Sequence, residues 1–273
     1  MMTKMFLVLA GLFFCSGIPT VGAETLAIPG TGACEVILKE LAAAFNARHS
    51  GQEVVVPPSI GTGGGIRAVA KDEYLLGRAA RPLEEKERAY GLQYLVFARD
   101  AVVFAVGAKV EIKSLTPGQL GEIFAGKITH WQEVGGHPAP IRVLTRDPGE
   151  ASLRIIRRHL KEFQDLNLAP QSKAAHHDYQ MVEMLQKYKN SIGFLTNSSI
   201  CGLGASIKTL ALDNIMPTPE NVESGRYTLS EDYALVYKEK RLNELARAFI
   251  DFIFSEEGKN IMQRRGVIPA DRK

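Results

Sequence analysis

The sequence predicts an α/β chain folded as two lobes, and three observations carry that expectation. Strand, glycine-rich turn and helix alternate twice within residues 25–80 and recur over 141–163, the order that builds a parallel sheet with crossover helices. About 250 residues follow a removable N-terminal segment, more than one hydrophobic core usually serves, and 45% hydrophobic content can fill two. A long apolar stretch over 94–106 and a returning strand over 227–237 are placed to carry the chain from one lobe to the other and back.

Residues 1–23 hold one basic residue, Lys4, an apolar run from Met5 to Cys15, and the small-residue ending Val21-Gly22-Ala23. That is a secretory signal with cleavage expected after Ala23, and its apolar run is too short to span a bilayer. A lipoprotein reading through Cys15 is the weaker alternative, because Phe13 and Phe14 stand where small residues are expected. No later stretch reaches about 18 uninterrupted apolar residues, so a soluble mature chain is expected.

The mature chain opens with a short strand over 25–28 and the turn Pro29-Gly30-Thr31-Gly32. Val36, Ile37, Leu41, Ala44 and Phe45 recur at helical spacing, predicting an amphipathic helix from Glu35 to about Arg48. A second strand over 52–56 leads into Ser59-Ile60-Gly61-Thr62-Gly63-Gly64-Gly65, read as a loop feeding a helix over 66–71, and 75–80 closes the unit as a buried strand. Thr116 and Pro117 mark the start of a helix to 124, and Trp131 falls in the loop after it. A strand over 141–145, a loop over 146–152 and a helix over 153–163 repeat the plan. Asp178 caps a helix to 188, a short strand covers 191–196, and helices over 242–254 and 257–264 end the chain. Two crossings place 24–100 with 228–273 in the first lobe and 101–227 in the second.

Charge points to no macromolecular polyanion. Without Lys4 the balance is 32 basic to 30 acidic residues, and no Lys/Arg block suggests a nucleic-acid or membrane footprint. His176-His177 lacks further ligands at metal-binding spacing, so neither metal nor cofactor is expected. Cys34 and Cys201 remain after processing; whether they pair is open, since spacing does not show whether their Cα atoms come within about 7 Å.

Three turns put glycine or small residues just ahead of a helix, where unpaired N–H groups and the positive dipole end make an anion site. The first offers Thr31 and Gly32, the second Thr62, Gly63 and Gly64, and the third Arg146 and Ser152. Ligands of parallel sheets sit beyond the strand C-termini, where these turns fall. A nucleotide site is not supported: the second turn lacks the Lys-Ser/Thr ending of a P-loop, and the first lacks the third glycine of a dinucleotide fingerprint.

Pro29-Gly30-Thr31-Gly32, the run 59–67, Ala80-Arg81-Pro82-Leu83, the run 146–152, Ser191-Ile192-Gly193-Phe194 and Pro217-Thr218-Pro219-Glu220-Asn221 occur in one order. In that series the chain resembles the substrate-binding proteins of phosphate ABC transporters, within the broader periplasmic binding protein family. The resemblance implies a two-lobed fold, each lobe a mainly parallel sheet flanked by helices, with dehydrated phosphate or a similar small oxyanion bound in the cleft between them. It further implies a monomer in the periplasm that docks on a membrane permease. Matched by position, it points to Ala33, Cys34 and Glu35 in the first turn, Thr62 in the second, and Arg146, Glu150, Ala151 and Ser152 in the third. A guanidinium suits the task because it holds two anion oxygens at once.

Three positions depart from the family pattern. Cys34 offers a thiol where a hydroxyl is usual, Ala80 a methyl group where an acid or a serine is usual, and Glu150 a carboxylate where serine is common. Protonated phosphate needs an acceptor that Ala80 lacks, and Glu150 is one source for it; the alternative is that Glu150 only favours the helix dipole. Arg81 either adds positive charge to the cleft or forms a hinge salt bridge. Two other functions fit less well: a periplasmic oxyanion sensor without a transporter, and a hydrolase using Cys34 as an acidic thiol at a helix N-terminus.

Overall fold

A computed structural model describes residues 24–272; the expected signal segment, with Cys15 and the cleavage point after Ala23, lies outside the described residues. The chain forms the two expected α/β lobes, linked by one continuous strand. Gln93–Gly107 runs for 15 residues, roughly 50 Å at about 3.3 Å per residue, so it passes through both lobes. Its first half pairs antiparallel with the returning strand Ser230–Tyr237, and its second half, Val102 to Val106, pairs antiparallel with Ser191–Thr196.

In the first lobe, Glu24–Ala27 and Gln52–Val55 lie parallel. A parallel bridge between Gly30 and Arg78 ties them to Leu76–Ala79, which pairs antiparallel with Ser230–Tyr237. In the second lobe, Arg142–Arg146 runs parallel to both Ser191–Thr196 and Lys173–Ala175. The parallel strands thus flank the crossing pair on either side, and their C-terminal ends face the junction of the lobes.

Two large apolar clusters fill the lobes, beside a small third one around Ile66, Val69 and Val236. One draws on residues from Ala101 to Leu229 and is knit by aromatic rings, Phe104 with Phe124 at 5.8 Å and Phe124 with Phe163 at 5.4 Å between centroids. Trp131 is buried in it, and its indole N–H donates to Asn190 O at 3.0 Å, so this side chain packs. The other cluster draws on Leu26 to Ala98 and Tyr233 to Val267, with Phe45 set edge-on to Phe249 at 5.3 Å. Each fully buried ring or aliphatic side chain contributes about 1.5–3 kcal/mol. Ala151, from a second-lobe helix, is buried in the first lobe's cluster, so the lobes meet at that residue.

Local signals place the helices. Thr116 accepts from Gln119 N while the Gln119 side chain returns to Thr116 N, a reciprocal cap, with Pro117 in the first turn of Pro117–Phe124. The stretch from Gly61 differs from the expected loop: Gly61–Ala70 is helical throughout. Glycine costs roughly 1 kcal/mol in a helix interior, but packing requires it at Gly65. A Cβ there would lie 2.7 Å from Gly30 Cα and 2.9 Å from Pro29 O. The third-loop helix begins at Ala151 and ends at His159, and Asp178 is the first residue of its helix, one position inside the cap.

Candidate functional site

A cleft of about 860 Å³ lies where the three turns meet. Thr31, Gly32 and Glu35 line it from the first turn, Thr62, Gly63 and Gly64 from the second, and Arg146, Glu150 and Ala151 from the third. Arg81 also borders it, whereas Ala33, Cys34, Ala80 and Ser152 do not and are buried.

The first two turns are fixed from behind by Arg78, a fully buried side chain on Leu76–Ala79. Its guanidinium donates to Thr31 O at 2.5 Å, to Pro57 O at 2.8 Å and to Ile28 O, and reaches Glu35 Oε2 at 3.4 Å. In return Thr31 N donates to Arg78 O at 3.1 Å. Gly30, with φ of +145°, makes this approach possible; a Cβ there would lie 2.0 Å from Arg78 O. With their carbonyls turned in on Arg78, the turns present the opposite edge to the cleft. Ser59 Oγ donates to Gly30 O and accepts from Gly61 N, both at 3.2 Å, locking the second turn to the first. Thr62 Oγ1 accepts from Ala80 N at 3.1 Å, and its own hydrogen remains to donate toward the cleft.

The third turn is built on charge. Arg146, buried at the end of Arg142–Arg146, donates to Asp178 Oδ1 at 2.5 Å and lies 3.2 Å from Glu150 Oε1. Asp178 is itself held by Thr196 Oγ1 at 2.7 Å and Ser199 Oγ at 2.9 Å, so the guanidinium is aimed by a braced carboxylate. Glu150 Oε2 accepts from Ser152 N at 2.7 Å, capping its own helix. Both carboxyl oxygens of Glu150 are therefore committed, one to the cap and one to Arg146. Burial raises the Glu150 carboxyl above its ordinary range despite the nearby Arg146.

Arg81 forms a two-pronged pair with Glu87 at 2.7 and 2.9 Å and a contact with Glu84 at 3.1 Å, which is the salt-bridge reading of that residue. Arg67 and Arg154 also line the cleft, and among the described residues neither has a carboxylate within ion-pair distance. They supply the free positive charge.

The reactive-thiol reading of Cys34 is corrected. Its side chain is fully buried, and desolvation pushes the thiol up to about 12, so it stays protonated at neutral pH. Cys34 and Cys201 are both free thiols. No group of three or more potential metal ligands converges among the described residues.

A family model described as a PBP superfamily domain matches residues 19–257. The chain belongs to the PBP superfamily. Among solved structures, a phosphate ABC transporter substrate-binding protein from Clostridium perfringens, with phosphate bound, is similar at 28% identity and a TM-score of 0.79, covering 91% of this chain and 100% of that one. An ABC-type phosphate transport receptor from Vibrio cholerae matches at 25% identity and a TM-score of 0.67, over 89% and 99% of the two chains. The phosphate-binding protein PstS of Borreliella burgdorferi is 25% identical over 257 residues, 90% of each chain. Superfamily membership thus covers both lobes together.

Sequence reasoning missed Arg78 as the organiser of this superfamily cleft, although an arginine inside the apolar strand over 75–80 was the available signal. It read Asp178 as a cap, although the side chain orients Arg146. It passed over Glu231, a buried carboxylate at the polar start of the returning strand.

Proposed function

We propose that this chain is an extracytoplasmic solute-binding protein that captures inorganic phosphate, or a closely related small oxyanion, for an ABC transporter. The observation that carries the reading is the convergence of three helix-entry turns from two lobes on one cleft, with Thr31 and Thr62 on one wall and Arg146 on the other. Relatives named for phosphate binding, similar along nearly the whole chain, support it.

The lobes divide near 100 and 228, with 24–100 and 228–273 in the first and 101–227 in the second. Only a closed cleft lets both walls contact one small anion, so ligand favours closure and the closed form is what a permease recognises. The protein acts as a monomer outside the cytoplasm and binds without turnover, in keeping with a Cys34 thiol that stays protonated.

A thermal-shift screen with phosphate, sulfate, molybdate and tungstate tests this. A ligand at 100 times its Kd stabilises by about 2.7 kcal/mol, and phosphate is expected to give the largest shift. No shift with any of the four overturns the oxyanion reading.

A further inference from the structure

At the junction of the lobes, several buried polar atoms have hydrogen-bonding capacity that the protein does not use. Both carboxyl oxygens of Glu231, Nε of Arg146 and Oγ of Ser152 are buried with no partner among the described residues. Native interiors pair nearly all such groups. Arg146 Nε can only donate, an ionised Glu231 can only accept, and Ser152 can do either.

These atoms gather along one seam: Arg146 borders the cleft, Glu231 the cavity beside it, and Ser152 is buried next to Ala151, which borders both. The returning strand Ser230–Tyr237, which carries Glu231, packs on the helix Ala151–His159, which carries Ser152. Glu231 shares a cavity of about 250 Å³ with Ala80 and Ala151, and Arg81, Ala151 and Arg154 line both this cavity and the cleft. Arg146 lies near enough for its charge to act on Glu231. Yet Arg146 pairs with Asp178 and Glu150 and leaves Glu231 without a partner.

A ligand that satisfies this set must accept from Arg146 and Ser152 and donate to Glu231. A bare oxyanion does only the first and sets oxygen against oxygen at Glu231. We propose that Glu231 is a specificity-determining residue of the cleft: its carboxyl group takes the hydrogen bond of a protonated oxyanion while Arg146 Nε and Ser152 Oγ donate to the anion's other oxygens. The acceptor that Ala80 lacks is supplied to the same cavity from the neighbouring strand. This deepens the oxyanion reading and rests on it. Burial, with the carboxylates of Glu150, Asp178 and Asp100 nearby, holds the Glu231 carboxyl well above its ordinary range, so the discrimination belongs to its ionised form, which alkaline pH favours.

Calorimetry with phosphate and sulfate at pH 8 tests the assignment, because both then carry close to two negative charges and only phosphate keeps a proton. The intact protein is expected to prefer phosphate. Glu231→Gln should cut that preference by about tenfold or more, chiefly by tightening sulfate, because a hydrogen bond to a charged group is lost for one anion and a repulsion for the other. Adding Ala80→Asp to Glu231→Gln returns a carboxylate to the same cavity and should restore the preference, which a merely structural role for Glu231 would not allow. An unchanged preference in Glu231→Gln, or an intact protein that binds phosphate no better than sulfate, overturns the proposal. Should Glu231→Gln fail to fold, Ala80→Asp alone decides: a second carboxylate beside Glu231 should weaken phosphate by about tenfold, and unaltered binding sinks the assignment. Failure of the oxyanion reading itself looks different, since the intact protein would then bind neither anion.

Discussion

The first-lobe wall of the cleft holds its donors through the main chain, whereas the second-lobe wall holds them through charged side chains. On the first, Arg78 is spent behind the surface, gathering the carbonyls of Ile28, Thr31 and Pro57 so that two turns keep one shape. On the second, Arg146 stands at the surface of the cleft and its direction is set by Asp178 and Glu150. One arginine builds a rigid frame, and the other is the one the proposed function gives to the ligand. The two should therefore fail differently when removed.

Arg146→Ala should produce the largest change. Charge-assisted hydrogen bonds are worth about 1.5–3 kcal/mol each, so loss of two reduces phosphate affinity by at least about 100-fold in calorimetry. The same substitution leaves buried Asp178 without its cation, and breaking such a pair costs about 3–5 kcal/mol in urea denaturation. Wild-type affinity in this variant would remove Arg146 from the site.

Between the walls lies the seam, where Asp100 and Glu231 face each other across the paired crossing strands. Burial raises the Asp100 carboxyl from 3.8 to about 7, although Tyr233 Oη and Ser198 N donate to it. The folded state therefore holds a proton that the unfolded chain has released, and stability falls as pH rises through that window and levels off above it. The shift corresponds to about 4 kcal/mol, so Asp100→Asn should gain that much relative to the intact protein between pH 4 and 8. Parallel denaturation curves at both pH values would show that Asp100 is ionised in the fold.

Arg78→Met tests the frame and should cost about 2–4 kcal/mol, because buried carbonyls lose their donors at about 1–3 kcal/mol each while a desolvated charge is also removed. Phosphate affinity should fall less than in Arg146→Ala. An equal or greater loss of affinity, with stability intact, would mean that Arg78 meets the ligand.

The same contrast explains what could be read from sequence. Glycine before a helix announces itself locally, so the first two turns, Thr31 and Thr62 were legible, as was Arg146 ahead of an amphipathic helix. The first crossing strand was legible from its length and apolar content. Arg78, Asp178 and Glu231 were not, because what they do depends on contacts across the fold: Arg78 with Pro57, Asp178 with Arg146, Glu231 with the cavity beside Ala80. The helical start at Gly61 was misread for a related reason. Propensity argues against four glycines in one helix; the close approach of Gly30 explains Gly65, and a φ of +73° explains Gly61.

The smallest expected effects separate the walls most finely. Thr62 Oγ1 already accepts from Ala80 N, whereas Ser152 Oγ is buried without a partner among the described residues. Thr62→Val should therefore lower stability by about 1–3 kcal/mol, since it leaves a buried amide unpaired, and it should weaken phosphate as well. Ser152→Ala removes a group that contributes no internal bond, so the fold should be unchanged or slightly more stable while phosphate weakens by about tenfold. That pair of outcomes would mark the Ser152 hydroxyl as one kept for the ligand. Equal losses of stability in the two variants would show instead that Ser152 has a structural partner, and would return both hydroxyls to the frame.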